Sequence, residues 1–474
     1  MFKIKALILI DYVRPEYFNK QNKLDFVHSS AGKEFIHAFN KYNLKLHSDY
    51  EFKFYYPNIP IVSKYNKYSH HIAGYKPLNK SQLIKADTNL GKILKDDYDI
   101  IIPTGSYSVK RLFGHTASIM RLFAHDKLTT INNKQYLVMP IYNQELVNMD
   151  YSRAIPRSLA IRKLALYLKG YWSLNYPRIG NYHLLDTVDK VRQVLAEAKK
   201  HTTAWDTETN SKDPDWSYSR ILCMTLSYMK DKKYWSYYIP LGHRQSPFNS
   251  DQLEQVKKLI KDFIDSPNIK VAHNSRFDTN WLLARGISKH ALNVRDTKIG
   301  YWLLVDQRVK ESLRLTDLSW LLTPMGGYDA PLETFKNWII DGIAQVAYGV
   351  MKKKAKANKV VVKRLSESNI RLDDSDKKII IDDLLPDNME KNQVNKLLTK
   401  AAYNKALALS KQVKDFGFMT KDILEDIVNI VTNNVNKYFD PKNVKRHFSY
   451  DWFPLKVMFN YSVGDAESCL RIYQ

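Results

Sequence analysis

The first part of the chain alternates between strand-like and helix-like patterns of apolar residues. The strand patterns are Lys3–Ile10, "YDIIIPTG" and "KQYLVMPIYN". The helical patterns, with apolar residues three and four positions apart, are "AGKEFIHAFNKYNL", "SYSVKRLFG" and "SLAIRKLALYLKGYW". Because strands alternate with helices, residues 1 to about 185 are predicted to form a separate α/β domain.

The pattern restarts at about residue 186. A helical segment, "LLDTVDKVRQVLAEAKK", opens this part, and Asp186 or Thr187 is its expected N-cap. Three strand patterns, a helix and a further strand follow: "TTAWDTE", "ILCMTLSYM", "KYWSYYIPLG", "DQLEQVKKLIKDFID" and "IKVAHN". Two of the connections are short enough for hairpins. We therefore predict a second domain over 186–474, built on a mixed α/β sheet with its functional site at strand ends.

Residues from about 338 to 447 have a different character. They contain amphipathic helical patterns and the Lys-rich stretch "MKKKAKANKVVVKR", which has seven basic residues and no acid. We predict an inserted helical subdomain. The basic stretch is either a solvated face or a strip that contacts phosphates.

Two acids lie close together in "HTTAWDTETN". Alternate residues of a strand point to one face, so Asp206 and Glu208 would be close neighbours. Two adjacent carboxylates repel each other unless a positive charge lies between them. The pair is either half of a divalent metal site or an ordinary solvated turn.

A third acid follows a strand in "IKVAHNSRFDTNWLLARG". Asp278 would lie in the first turns of a helix whose apolar positions Phe277, Trp281 and Leu282 pack inward. The alternative is an exposed acid that interacts favourably with the helix dipole.

The C-terminal stretch "FPLKVMFNYSVGDAESCLRIYQ" is predicted to be helical. Tyr461 and Asp465 are four residues apart, so a phenol and a carboxylate can reach one spot. Taken alone, such a pair is equally consistent with a surface hydrogen bond.

Composition narrows the class of protein. The 474 residues carry a net charge of +24, which favours a polyanionic partner, either nucleic acid or a membrane surface. Selection for solubility, or a host proteome rich in Lys and Asn, would give the same excess of basic residues. Two cysteines exclude a disulfide framework and a cysteine-rich zinc site. No apolar run approaches the roughly 18 residues of a membrane span, and we expect a cytoplasmic protein, in the host cytoplasm if it is phage-encoded.

Taken together, the acids follow a recognisable order: Asp-x-Glu on a strand, Asn-x-x-x-Asp at a helix start, and Tyr-x-x-x-Asp on a late helix. This order resembles the three motifs of the DEDD exonuclease superfamily in its tyrosine-containing subgroup, which includes the proofreading domains of family A DNA polymerases. The segments "YYIPLGH", "DTKIGYWLLV" and "SLRLTDLSWLL" extend the likeness, especially to phage polymerases. It covers about 186–337 and 448–474 and implies an RNase H-like fold.

The resemblance also implies a role for each residue. Asp206, Glu208 and Asp465 would hold a metal ion that activates water, and Asp206 would bridge to a second ion supported by Asp278. Two Mg²⁺ or Mn²⁺ ions suit oxygen ligands and phosphodiester hydrolysis. Tyr461 would orient the attacking water. The implied substrate-binding residues are Thr207, Asn274 and Phe277.

The implied activity is a metal-dependent 3′–5′ exonuclease that releases nucleoside monophosphates, preferentially from single-stranded DNA. No nucleotidyl-transfer motif is present, so we expect the proofreading part of a split or truncated phage family A polymerase, with a separate polypeptide carrying the polymerase domain. The alternatives are an RNase D-like exoribonuclease and a non-catalytic DNA-binding subunit of a replication complex.

The N-terminal part faintly resembles the uracil-DNA glycosylase superfamily in "DYDIIIPTGSYSVKRLFG", "SIMRLF" and "KQYLVMPIYNQELV". Where that family has a His-Pro dipeptide, this chain reads "PIYNQE", and no Gly-Pro-rich acidic loop follows Asp11. We expect a degenerate, inactive domain that binds DNA or a partner. The alternative is an unrelated α/β domain.

Overall fold

The computed structural model describes residues 4–21, 23–58, 78–174, 180–215, 217–288, 291–305, 313–333, 336–337, 449–453 and 455–474. Within these ranges the chain forms two mixed β-sheets flanked by helices, as the apolar patterns predict. The proposed insertion at 338–447 and its basic stretch lie outside the described residues. The predicted domain boundary at 185/186 stays a prediction.

The first sheet has five strands in the order β2-β1-β3-β5-β4. The strands are β1 (Ala6–Tyr12), β2 (Tyr50–Tyr56), β3 (Ile100–Pro103), β4 (Lys127–Ile131) and β5 (Lys134–Val138). All pairs are parallel except β4 with β5. Parallel strands covered on both faces need continuous apolar sequence, and Leu7, Ile8 and Leu9 of β1 are completely buried.

Helices between and after these strands accompany the sheet. In the described part of the chain they are α1 (Ser30–Asn40), α2 (Lys80–Ile93), α3 (Ser106–Phe113), α4 (Ile119–Leu122), α5 (Gln144–Met149) and α6 (Ala154–Leu168). The three helices predicted from the sequence correspond to α1, α3 and α6. Strand β2 and helix α2 were not predicted.

The second sheet has six strands in the order β11-β10-β7-β8-β9-β6. They are β6 (Asn181–Leu184), β7 (Thr203–Thr209), β8 (Ile221–Lys230), β9 (Lys233–Pro240), β10 (Lys270–Ala272) and β11 (Val294–Asp296). The central strands β7, β8 and β9 are antiparallel, and the other pairs are parallel. This arrangement confirms the predicted mixed sheet.

The helices of this part, in chain order, complete the fold. They are α7 (Val188–Ala198), α8 (Ser250–Ile264), α9 (Ser275–Ala284), α10 (Thr297–Leu304), α11 (Leu315–Leu322) and α12 (Leu455–Tyr473). Thr187 caps α7 by accepting a hydrogen bond from the Lys190 amide at 3.3 Å.

One of the two predicted hairpins is tight. Asp231 and Lys232 join β8 to β9 with φ angles of 51° and 60°. Such angles belong to the turns that suit the right-handed twist of a hairpin. The other connection, between Thr209 of β7 and Ile221 of β8, is too long for a two-residue turn. Edge strand β6 escaped prediction because its residues are mostly exposed and lack an apolar pattern.

Tryptophan side chains anchor the core of the second sheet. Trp205 of β7 and Trp281 of α9 are completely buried among residues of α7 and α8. On the other side, α12 packs against β7, β8 and β9. The strand that carries Asp206 and Glu208 is therefore held between an apolar core and the helix that carries Asp465.

The two sheets are joined through α6 and α11. Apolar residues of both helices share one buried cluster, including Ile161 and Leu318. At the centre of this contact the Lys163 ammonium lies 2.6 Å from an Asp126 carboxylate oxygen and 2.5 Å from the Trp320 carbonyl oxygen. The side chains of Lys163 and Asp126 are 1% and 0% exposed, so neither charge has access to water.

We predict that Lys163→Met lowers the free energy of unfolding by about 3–5 kcal/mol, because it leaves the Asp126 charge buried without its partner. Urea denaturation measures the change. Lys190→Met is the matched control, since its ion pair with Asp186 is about half exposed and should matter by less than about 1 kcal/mol. Equal losses in the two variants would contradict the prediction.

Candidate active site

Three carboxylates converge at the β7–α12 contact. Asp206 and Glu208 project from one face of β7, and Asp465 faces them from α12. One oxygen from each can be chosen so that all three lie within 4.8 Å of one another. The solvated-turn alternative is wrong for this pair, since Glu208 is only 8% exposed and Asp206 is half-buried. Three oxygens this close are a suitable ligand set for one small hard cation.

Small residues allow α12 to approach the strands closely. Ser462 and Ala466 are completely buried against the sheet. The close packing of α12 on β7 and β8 brings Asp465 to Asp206 and Glu208. Gly464 has a different role: a Cβ atom there would lie 2.4 Å from a ring carbon of Tyr328, so glycine leaves room for that ring.

The fourth acid, Asp278, is attached to β7 through Thr207. It is 2% exposed, so the interpretation of Asp278 as an exposed first-turn acid is wrong. Its Oδ1 accepts hydrogen bonds from the Thr207 amide at 3.1 Å and the Thr207 hydroxyl at 2.6 Å. Thr207 therefore links Asp278 to the strand between the other two acids, and its hydroxyl is directed at Asp278.

Asn274 and Phe277 lie at different depths. Asn274 is exposed and has left-handed backbone geometry, with φ at 64°. Its Oδ1 accepts a hydrogen bond from the Lys298 ammonium at 3.0 Å. Phe277 is half-buried and packs near Trp281, with ring centroids 6.3 Å apart. A role in substrate binding stays a prediction for both.

Tyr461 belongs to a group of tyrosines around Asp465. Its ring stacks on that of Tyr328, with centroids 6.3 Å apart. The Tyr328 hydroxyl donates a hydrogen bond to Asp465 Oδ1. The sequence pattern gave no sign of Tyr328, because it is 137 residues from Asp465 and no short spacing connects them.

Burial raises the pKa values of all four acids, and repulsion from nearby carboxylates adds to the effect. Desolvation is the largest cause in each case. The pKa values of Asp206 and Glu208 rise well above the usual range, with further contributions from neighbouring carboxylates. Those of Asp278 and Asp465 rise to about 7, because hydroxyl and amide donors offset part of the effect. The cluster therefore retains protons or requires a cation.

A cleft of about 890 Å³ opens onto this cluster. Its size lies at the upper end of the range for small-molecule sites. Asp206, Tyr461 and Asp465 are among its lining residues. The others carry charges of both signs or aromatic rings, and include Asp317, Asp329, Glu333, Lys298, Arg314, Lys336, Asn274, Trp320 and His125.

A search of the described helices for membrane spans found no segment that combines the required length with sufficient apolar character.

Comparison with known proteins points to DNA polymerases. No protein-family model matches the sequence. A DNA polymerase of Bacillus phage SP01 is 26% identical over 256 residues, covering 50% of this chain and 27% of the relative. DNA polymerase I of Synechocystis is 28% identical over 155 residues, covering 31% of this chain and 15% of the relative. The chain thus matches about a quarter or less of the length of each relative.

The structural comparison gives a weaker likeness. The solved EXO domain of Aedes aegypti Nibbler aligns with 54% of this chain and 100% of its own, at 12% identity and a TM-score of 0.25. That TM-score is too low to equate the two folds.

We predict that the metal-free protein loses stability as pH rises from about 4 to about 7. The acids have higher pKa values in the folded state, so the folded protein binds more protons than the unfolded chain over this interval. Asp465→Asn should raise the free energy of unfolding at pH 8 by about 1–4 kcal/mol, since one pKa unit corresponds to about 1.4 kcal/mol. Denaturation in EDTA across this pH range measures both effects.

The control for this prediction is Asp189→Asn, whose side chain is 78% exposed. It should leave the pH dependence as in the wild type. Stability that is independent of pH in the wild type would contradict the assigned repulsion.

Proposed function

We propose that this chain is a metal-dependent 3′–5′ exonuclease that hydrolyses DNA and releases nucleoside monophosphates. The observation that carries the proposal is the convergence of Asp206, Glu208 and Asp465 beside an open cleft, with Asp278 hydrogen-bonded to Thr207 of the same strand. Buried acids that repel one another destabilise a fold, and their retention suggests a functional site.

The side chains fit hard divalent ions. The donors are all carboxylate oxygens, close together and poorly neutralised by the protein, which suits Mg²⁺ or Mn²⁺. Asp206, Glu208 and Asp465 would hold one ion, and Asp206 with Asp278 would hold the second. When bound, such a pair of ions supplies a nucleophile at neutral pH and stabilises negative charge on the phosphate.

Tyr461 orients the attacking water in this proposal. Burial and the adjacent acids raise the pKa of the Tyr461 hydroxyl well above its usual value. The phenol therefore keeps its proton near neutral pH and cannot act as a strong base. It can still hydrogen-bond a water molecule beside Asp465, which matches the role implied by the family resemblance.

Proofreading is the role we infer for this nuclease. Both curated relatives are named DNA polymerases, which favours DNA over RNA as the substrate. We propose that a separate polypeptide supplies the polymerase domain, and that this chain trims single-stranded 3′ ends. Matched DNA and RNA oligonucleotides distinguish this function from an RNase D-like activity.

The N-terminal region is proposed to bind rather than to excise bases. The Asp11 carboxylate accepts hydrogen bonds from the Tyr107 and Ser108 amides at 2.8 and 2.9 Å, and from the Ser108 hydroxyl at 2.6 Å. A cavity nearby, lined in part by Thr104 and Asn143, has a volume of only about 10 Å³. That is room for about one water molecule, which supports an inactive domain.

We predict that Asp206→Asn reduces mononucleotide release at least about 10³-fold, because loss of the shared ligand removes several kcal/mol of transition-state stabilisation. A 3′-labelled oligonucleotide with Mg²⁺ measures the rate. Asp189→Asn, an exposed acid on α7, should cleave like the wild type. A wild type without activity, or an Asp206→Asn variant with full activity, would refute the nuclease.

We predict that Tyr328→Phe weakens Mn²⁺ binding about 10–100-fold, as is usual when a residue that orients a metal ligand is lost. The hydroxyl fixes one oxygen of Asp465 and so directs the carboxylate towards the other acids. Calorimetric titration at pH 8 measures the affinity. Tyr151→Phe, at a residue 78% exposed, is the control, and equal affinities in the two variants would mean that Tyr328 only packs.

A further inference from the structure

An aromatic stack forms part of the cleft wall on the N-terminal side. The His125 imidazole is stacked on the Trp320 indole, with centroids 4.5 Å apart and ring planes 13° apart. Both residues line the cleft that contains Asp206, Tyr461 and Asp465. The N-terminal region therefore contributes directly to the walls of the candidate active site.

The position of His125 is firmly fixed by its neighbours. Ala124, completely buried, has a φ of 58°, a conformation that is costly for alanine. Its amide donates to the Pro140 carbonyl at 2.9 Å, and its carbonyl accepts from Lys163 at 3.2 Å. Asp126, on the other side, is held in the buried ion pair with Lys163. The chain thus holds one half-buried ring at the cleft between two immobilised residues.

Glycine backbone packs against the Trp320 side of the stack, since a Cβ added to Gly326 would lie 2.0 Å from the Cε3 atom of Trp320. Within the part of the chain that the structure describes, no hydrogen bond to an imidazole nitrogen of His125 is found. Burial, with a contribution from Lys163, lowers the pKa of His125 to about 4, so the ring is neutral at pH 7. A neutral ring suits stacking better than pairing with phosphate.

Basic side chains lie along the same cleft. Lys298, Arg314 and Lys336 line it together with the stack. Arg314 pairs with Asp317, and Lys336 pairs with Glu333, two acids that line the same cleft. Rings that stack on bases beside cations that contact phosphates are the usual means of binding single strands, and here these two cations would exchange their carboxylate partners for phosphates. The acid cluster would mark where the strand ends.

We propose that the His125–Trp320 stack is a binding site for a base of single-stranded DNA, upstream of the 3′ nucleotide at the acid cluster. This inference rests on the proposed function for the direction of the strand. The N-terminal region then has a specific role, because it contributes a stacking ring to the substrate path.

The test measures binding of a fluorescent deoxythymidine octamer to the full chain in EDTA, where metal-dependent hydrolysis cannot proceed. His125→Ala should weaken binding about 5- to 100-fold, the range for loss of one stacked base. His125→Phe, which keeps an aromatic ring, should restore it. His115→Ala, at an exposed histidine of the same region, should bind like the wild type.

Octamers with a single abasic position locate the stacked base. At one position, removal of the base should weaken binding to the wild type by about the same factor as His125→Ala does, and it should not weaken binding to His125→Ala any further. A merely structural role of His125 would not produce this dependence on one base. We call this dependence of the His125→Ala effect on one base the coupling. The proposal would be overturned if removal of a base weakened binding equally in both proteins at every position, or if His125→Ala bound like the wild type. Coupling found with RNA octamers but not with DNA octamers would also overturn it.

The exonuclease assay of the wild type is carried out separately. Coupling without nucleotide release would support the stacking site and refute the proposed nuclease. Nucleotide release without coupling would refute the stacking site alone.

Discussion

Repulsion among the carboxylates that β7, α9 and α12 bring together is the cost that the packing of the apolar core has to offset. Asp206, Glu208, Asp278 and Asp465 meet because β7, α9 and α12 are packed together, and each would be more stable in water. Burial of large apolar side chains provides the compensating free energy, at about 1.5–3 kcal/mol for each. Trp205 and Trp281 lie in the core that holds two of these elements. The apolar core thus maintains an arrangement of charges that would not persist by itself.

Hydrogen bonds from the protein make the rise in pKa unequal among the four acids. Asp278 accepts from Thr207, and Asp465 accepts from Tyr328, and the pKa values of these two acids rise only to about 7. The pKa values of Asp206 and Glu208 are raised further by their neighbours. Hydrogen-bond donors of the protein therefore orient Asp278 and Asp465. Asp206 and Glu208 on β7 depend most on a bound cation to neutralise their charge. This division is consistent with Asp206 as the shared ligand in the proposed two-ion site.

The contact between α6 and α11 connects the two sheets to this site. Lys163 binds Asp126 on one side and the Trp320 carbonyl on the other, inside a continuous apolar cluster. Trp320 and His125 are thereby placed at the edge of the cleft. The N-terminal region can therefore contribute to substrate binding through the surface it shares with the second sheet.

Features that depend on local periodicity could be predicted from the amino-acid sequence. Alternation along β7 puts Asp206 and Glu208 on one face, and four-residue spacing on α12 puts Tyr461 beside Asp465, whatever the rest of the chain does. The buried strands and amphipathic helices followed from the same rule. Edge strand β6, whose residues are mostly exposed, carried no such signal.

Contacts between segments far apart in the chain could not be predicted in this way. Tyr328 reaches Asp465 across 137 residues, and the Lys163 ammonium reaches the Trp320 carbonyl across 157. No short spacing encodes such pairs, because they arise from the packing of whole elements. The same packing buries the four acids together, and their raised pKa values follow from that burial rather than from any property of the individual residues.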